Sequence, residues 1–411
     1  MIDAILRRIV RSGRLTVQYP DGRSRCYGTG DGPTAGIRFR DAATIRRIVS
    51  NPGLRFGEAY MDGGITLAEG TTIHDVLTIL VSNMAAGNSH PLMRMGEWLS
   101  HRVRRLQQFN PASRSRRNVA HHYDLNGRLY ALFLDRDRQY SCAYFQRGDE
   151  TIEEAQAAKK RHIAAKLKLD RPDLSVLDIG CGWGGLALTL AREYGARVTG
   201  ITLSQEQLTE ARARAAAEGL SDRVTFEMLD YRAVTGQFDR IVSVGMFEHV
   251  GVGFYRRFFE VIHDRLAPDG VALVHTIGRL FGPASTNAWL RKYIFPGGYS
   301  PALSEVLPAI EKSKLLLTDV EVLRLHYART LSAWRRRFAA NRDAIAALYD
   351  ERFCRMFEFY LSGSELAFHY DGHCNFQIQL TKDIAALPIT RDYMAEAERA
   401  QPLRVPHSLS T

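Results

Sequence analysis

Apolar residues recur at helical spacing at Ile73, Val76, Leu77 and Leu80, which predicts a helix over Thr72–Met84. Around it the first hundred residues show a mixed pattern, punctuated by turn signals at Pro20-Asp21-Gly22 and Asp62-Gly63-Gly64. From about residue 150 the pattern becomes regular. Thr151-Ile152-Glu153-Glu154 is a capping box that opens a helix running to about Leu169. Short apolar runs at Ser175–Ile179, Arg197–Ile201, Val224–Met228, Phe238–Val244 and Val271–Ile277 read as strands. Helical patterns lie between them at about Gly184–Tyr194, Ser204–Glu218 and Phe254–Leu266, the second opened by another capping-box pattern, Ser204 with Gln207. Strands alternating with helices of this length predict an α/β fold, a parallel sheet covered on both faces. Two apolar-rich helices at 330–349 and 351–369 follow, and the alternating run Asn375–Thr381 closes the sheet.

At 411 residues, with 45% hydrophobic and 24% charged, the chain has ordinary globular composition and room for two or three domains. The pattern divides it into an N-terminal accessory α+β domain over 1–100, a linker over 101–120 and a catalytic domain over 121–411. The linker holds six arginines (102, 104, 105, 114, 116, 117) and no acidic residue. The net charge of +10 favours an anionic partner without choosing among nucleic acid, phosphate and an anionic lipid surface. Five widely spaced cysteines without a C-x-x-C pair argue against a disulfide scaffold or a structural zinc site. No signal-peptide core or run of about 18 apolar residues occurs, so a soluble, cytoplasmic chain is expected. His369, His373 and Cys374 lack an evident fourth ligand, and no metal is expected.

The strongest local signal is Val176-Leu177-Asp178-Ile179-Gly180-Cys181-Gly182-Trp183-Gly184-Gly185. Glycines at a strand-to-helix turn let a ligand approach the backbone near the positive end of the helix. The spacing fits G-x-G-x-x-G of dinucleotide sites and also D-x-G-x-G-x-G of S-adenosylmethionine (SAM) methyltransferases. A dinucleotide site normally carries an acid about 20 residues on, where this chain has Gly200. Asp178, at the strand's end, is placed where a carboxylate meets a methionine ammonium. Both points favour SAM.

Five segments, the glycine motif among them, occur in one order: Tyr140-Ser141-Cys142-Ala143-Tyr144-Phe145, the glycine motif, Ser243-Val244-Gly245-Met246-Phe247-Glu248-His249-Val250-Gly251, His275-Thr276-Ile277-Gly278 and Tyr293-Ile294-Phe295-Pro296-Gly297-Gly298. Over about residues 119–382 the chain thereby resembles the cyclopropane-fatty-acyl-phospholipid synthases and the mycolic acid cyclopropane synthases. The resemblance implies a class I SAM-dependent methyltransferase fold, Rossmann-like with a seven-stranded mostly parallel sheet. Residues 1–100 are similar to the N-terminal domain of the phospholipid enzymes, which the mycolic enzymes lack, so a phospholipid substrate is implied.

The implied reaction moves the SAM methyl to a cis double bond of an acyl chain, after which the cation loses a proton and closes to a ring. Such chemistry needs the alkene held at roughly 3–3.5 Å from the sulfonium carbon, exclusion of water, and a base. In the family the base is a bound bicarbonate. The resemblance implies Cys142, Glu248, His275, the backbone at Ile277, and Tyr327 as its holders. For SAM it implies Tyr140 and Ser141, the stretch Val176–Gly184 with Asp178, Gly180, Gly182 and Gly184, then Thr202–Gln207 with Thr202, Leu203 and Gln207, and Asp230 with Tyr231. Read alone, His275 is a core histidine, Cys142 a small buried hydrophobe, Tyr327 a buried phenol and Gln207 a cap. The aromatic run Phe353, Met356, Phe357, Phe359 and Tyr360 reads first as core packing and second as an acyl tunnel.

The resemblance further implies phospholipids with unsaturated acyl chains as partners, peripheral contact with the inner face of the membrane, a homodimer and no nucleic acid. Two other readings remain open. One is a lipid C-methyltransferase giving a methyl-branched or methylene chain; the other is a non-catalytic lipid-binding protein. An RNA methyltransferase would show an Asn-Pro-Pro-Tyr-type clamp or a Pro-Cys nucleophile, and neither occurs. Some family members carry a cysteine just before the last strand. Here Leu361-Ser362-Gly363-Ser364-Glu365 stands there, which argues against a covalent cysteine mechanism.

Overall fold

A computed structural model describes residues 1–88, 108 and 127–400. The basic stretch from Arg102 to Arg117 lies, Gln108 apart, outside the described residues. The chain divides into two compact units that do not follow its linear order. One draws on Met1–Gln107, Ala284–Gly298 and Tyr327–His373, and the other on Gln108–Pro283, Tyr299–His326 and Cys374–Thr411. The N-terminal segment thus groups with two later segments of the chain, 284–298 and 327–373.

The first unit contains a four-stranded sheet of β1 (Arg14–Gln18), β2 (Ser24–Tyr27), β3 (Thr34–Phe39) and β4 (Ile65–Leu67), in the order β2-β1-β3-β4. β1 runs parallel to β3 and antiparallel to β2. Leu15, Val17, Ile37, Phe39 and Ile65 enter the core, with Ile5, Leu6 and Ile9 from the amphipathic first helix. The helix predicted at 72–84 spans Ile73–Asn83. Its N-cap Thr72 and Asp75 form a reciprocal capping box, which satisfies amides that would otherwise be unpaired. It packs against the helix Glu351–Tyr370, whose Leu366 joins the same core. The predicted helix 330–349 is broken at Asn341 into His326–Ala340 and Arg342–Leu348. Phe357 and Tyr360 are buried, and Phe357 stacks on Phe338, so these aromatics pack as core.

The second unit is built on a seven-stranded sheet. Its strands are β5 (Ser175–Ile179), β6 (Arg197–Thr202), β7 (Val224–Met228), β8 (Phe238–Val244), β9 (Leu266–Arg279), β10 (Leu316–Leu323) and β11 (His373–Thr381). The order is β10-β11-β9-β8-β5-β6-β7. β5 pairs in parallel with β6 on one side and β8 on the other. β6–β7 and β8–β9 are also parallel, and β10–β11 is antiparallel. The chain thus leaves β5 toward one side and returns at β8 on the other. This switch point opens a crevice at the C-terminal ends of the strands, where open α/β sheets hold their ligands. β10 was not legible in the pattern: Leu316 and Leu317 are exposed, so its strand lacks a continuous apolar run.

The helix Ile152–Lys166 is the most unusual element of this unit. Eleven of its fifteen residues are buried, among them Lys159, Lys160, His162 and Lys166. Buried charge needs partners. Lys160 meets Asp137 at 2.6 Å, and Lys166 meets Glu321. His162 lies between Glu321 and Glu398, at 2.6 and 2.5 Å. Its ring stacks on Tyr144 at 4.0 Å, and Tyr144 stacks on His326 at 4.9 Å.

Among the described residues no helix is long and apolar enough to cross a membrane, and no group of three or more His, Cys, Asp or Glu is arranged to hold a metal ion. All five cysteines are free of disulfides.

Candidate active site

A pocket opens at the β5 switch point. It is lined by Tyr140, Ser141, Asp178, Gly180, Gly182, Thr202, Leu203, Gln207, Asp230 and Tyr231, all of them positions the sequence assigned to the cosubstrate. Gly184 is absent from the lining. It has φ +82°, and a Cβ there would come within 2.7 Å of the Phe226 ring. The absence of a Cβ at Gly184 lets the helix Gly185–Tyr194 start close against β7, while Gly180 and Gly182 line the pocket.

Each end of the pocket has its own chemistry. At the β5 end, Asp178 is 1% exposed and its Oδ2 has no hydrogen-bond partner among the described residues. Burial pushes its carboxyl up to about 7, against the pull of the Lys159 ammonium. An orphaned buried carboxylate oxygen is costly unless a ligand cation meets it. At the β6 end, the Thr202 hydroxyl donates to Gln207 Oε1 at 3.1 Å. The Ser204 hydroxyl still accepts the Gln207 amide, at 3.4 Å, but the Gln207 side chain has turned to Thr202 instead of completing the capping box. Gln207 therefore caps with its backbone and lines the pocket with its side chain. At the β7 end, Asp230 accepts from the Arg232 guanidinium through both oxygens, each at 2.8 Å. Trp183 and Arg138 also line the pocket, with the guanidinium 5.4 Å from the indole ring. Trp183 lies within the stretch 176–184 that the resemblance implies for SAM.

Beyond this pocket the structure brings two of the five implied oxyanion holders together. Glu248 follows β8 in a single turn, Phe247–His249, and Ile277 lies in β9. The Ile277 amide donates to Glu248 Oε1 at 2.5 Å, while Oε2 is buried with no partner among the described residues. Burial raises the Glu248 carboxyl to about 7, only partly offset by hydrogen bonds from the Ile277 and Glu248 amides and the Thr276 hydroxyl.

His275 is 1% exposed, and burial holds it neutral, its pKa pulled down to about 3. Its ring nitrogens face the amide groups of Gln377 at 3.1 Å and Asn375 at 3.3 Å, both on β11. A neutral imidazole has one donor and one acceptor, so one of these two amides must present its oxygen. Asn375 and Gln377 were not foreseen; three amides at i, i+2 and i+4 (Asn375, Gln377 and Gln379) along one face of an alternating strand were the signal. Cys142 is fully buried, one residue beyond Ser141. Tyr327 belongs to the other compact unit, where it is buried against Trp334 and Phe368.

The donor set tests the implied bicarbonate. The Ile277 N–H is engaged by Glu248 Oε1 and the Thr276 hydroxyl donates to the Ile277 carbonyl at 3.0 Å, which leaves the second Glu248 oxygen to accept the O–H of a small oxyanion. Glu248 fits that group. His275 is engaged by β11.

Comparison with known proteins places these features. Residues 111–378 match the family described as mycolic acid cyclopropane synthetase, and residues 1–88 match a domain of unknown function. The cyclopropane-fatty-acyl-phospholipid synthase of Escherichia coli K12 is 39% identical over 336 residues, covering 81% of this chain and 84% of the relative. The tuberculostearic acid methyltransferase UfaA1 of Mycobacterium tuberculosis is 35% identical over 384 residues, covering 89% of this chain and 87% of its own. The solved structure of the mycolic acid cyclopropane synthase CmaA1 complexed with SAH and CTAB matches with a TM-score of 0.62 and 33% identity, over 66% of this chain and 99% of that one. A glycine-turned pocket at the β5 switch point, on a sheet shared with these enzymes, leads to one conclusion: the chain belongs to the mycolic acid cyclopropane synthetase family and is a SAM-dependent methyltransferase.

Proposed function

We propose that this protein is a cyclopropane-fatty-acyl-phospholipid synthase. SAM gives its methyl to a cis double bond of a phospholipid acyl chain: the S–CH3 bond breaks, a C–C bond forms and the thioether leaves. The resulting cation loses a proton from the transferred methyl group, and the second C–C bond closes the ring. The observation that carries this reading is the pair Glu248 and Ile277 beyond the cosubstrate pocket. A half-protonated carboxylate with a vacant buried oxygen is suited to hold a small oxyanion base. Bicarbonate is the base the resemblance implies, with Cys142, His275 and Tyr327 as its further holders. The extent of the match to the phospholipid synthase, well beyond the catalytic segment, supports phospholipid over a mycolic chain.

The test is incubation with SAM and vesicles of mono-unsaturated phospholipid, with mass and chromatographic retention of the released acyl chains. A gain of one CH2 that resists mild hydrogenation is expected. The similarity to UfaA1 favours a second reading, a lipid C-methyltransferase. A methylene product also gains CH2 but takes up hydrogen, and that outcome would select the second reading.

The enzyme is further read as a homodimer that contacts the inner face of the membrane. The arginines between 102 and 117 supply roughly 1 kcal/mol each near an anionic surface. Flotation with anionic vesicles that is indifferent to salt would count against the membrane contact, and a monomer by light scattering against the dimer.

A further inference from the structure

Lys159 is completely buried, yet both hydrogen bonds its ammonium makes among the described residues go to neutral oxygens. They are Gln139 Oε1 at 2.7 Å and Ser141 Oγ at 2.8 Å. Two neutral acceptors do not repay the desolvation of a full charge, which is of the order of several kcal/mol. Burial indeed pulls the amine down to about 8, and the carboxylate of Asp135 offsets this only in part. Lys160, one residue on, is by contrast paired directly with Asp137. The third N–H of Lys159 has no recorded acceptor, and its charge is felt at Asp178 on one side and His275 on the other.

The direction of the Ser141 hydrogen bond is fixed by chemistry. An ammonium only donates, so Ser141 Oγ must accept, and its own hydrogen is turned away from Lys159. Ser141 lines the pocket together with Asp178. Gln156, one helical turn before Lys159, donates to the Ser141 carbonyl at 2.9 Å and the Gln139 carbonyl at 3.3 Å. The face that carries Gln156 and Lys159 thereby clamps both the backbone and the hydroxyl of the 139–141 segment.

We infer that Lys159 is a positioning residue for the amino-acid end of the cosubstrate: it turns the Ser141 hydroxyl into a fixed, polarised donor for the carboxylate, while Asp178 takes the ammonium. The inference rests on the reading of this pocket as the SAM site. The ligand's carboxylate is the anion that the buried ammonium lacks, reached through one hydroxyl. A zwitterion is thus met by a donor on the 139–141 segment and a carboxylate on β5, both lining one pocket.

The test is calorimetric titration with S-adenosylhomocysteine and with 5′-methylthioadenosine, which lacks the amino-acid half. Lys159→Met keeps the length of the side chain and removes a buried charge, a change that is often neutral for folding. It is expected to weaken S-adenosylhomocysteine roughly tenfold or more while 5′-methylthioadenosine changes by less than about twofold. Ser141→Ala, which leaves the Lys159 ammonium in place with Gln139 Oε1 as its acceptor, is expected to give the same selective loss. The double variant is expected to lose no more than about twofold beyond the worse single one, because the two residues act in series. Equal losses for both ligands, no loss in Ser141→Ala, or additive losses would overturn the inference. A wild-type protein that binds neither ligand would instead remove the pocket reading on which it stands.

Discussion

Glu248 and Ile277 are joined by a hydrogen bond of 2.5 Å, from the amide of a sheet strand to the carboxylate of the neighbouring strand's exit turn. That bond uses one oxygen and leaves the other buried and unpartnered. The same burial that raises the carboxyl to about 7 makes it able to exchange a proton near neutrality.

Glu248→Gln keeps the size and removes the charge. Turnover is expected to fall roughly 100-fold or more, in line with loss of acid–base assistance, while SAM affinity stays within about twofold. Steady-state turnover with vesicles, set beside direct SAM titration, checks this. Because the ionised form is the one that receives a proton, turnover in the wild type is expected to rise with pH through about 7. Unchanged turnover in the variant would remove Glu248 from the mechanism.

Asp178 predicts a pH dependence of binding. Its carboxyl titrates at about 7, so its negative charge is lost progressively below that value. SAM affinity is expected to decline as pH falls from 7 to 5, and Asp178→Asn to bind weakly with a flat profile. Titration of both proteins across that range decides it. A wild-type affinity constant from pH 5 to 8 would separate Asp178 from the ligand.

His162 predicts a pH dependence of stability. Burial pulls its pKa down, but the hydrogen bonds its ring donates to Glu321 and Glu398 outweigh this and leave it above its ordinary 6.5. A folded pKa above the unfolded one gives stability that is whole below about 6.5 and is lost as pH climbs through the raised value. His162→Gln is expected to lose about 1–3 kcal/mol at pH 6 and less at pH 9. Urea unfolding at several pH values measures the difference, which must shrink as pH rises for the pairing to hold.

Gly184→Ala would place a Cβ against Phe226 at a left-handed backbone position. The cost is expected to be about 1–3 kcal/mol, seen as a Tm lower by several degrees, with SAM affinity of the folded protein nearly unchanged. A variant with normal Tm and lost SAM binding would return Gly184 to the ligand.

The alternation of short apolar runs and helical stripes was enough to read β5, β6, β7, β8, β9 and β11, because each carries a continuous apolar run or a local alternation of apolar and polar residues. The glycine turn was legible because a close backbone approach restricts residue type. At Gly184 a neighbouring side chain, the Phe226 ring, excludes a Cβ as firmly as a ligand would. β10 escaped because half of its pattern faces solvent. Lys159, Gln156, Asn375 and Gln377 escaped because a polar residue in an apolar stripe shows only that something must satisfy it, not what does.

By itself, then, the sequence determined the α/β alternation, the ligand-facing turn after β5 and the identity of most pocket residues, all of which follow from local periodicity and residue type. Tertiary structure alone decided that segments 284–298 and 327–373 fold with the N-terminal unit, that Glu248 meets Ile277, and that His275 faces β11. Those pairings join residues dozens to hundreds of positions apart. Which buried donor finds which acceptor is fixed by sheet order and packing, and no local pattern encodes it.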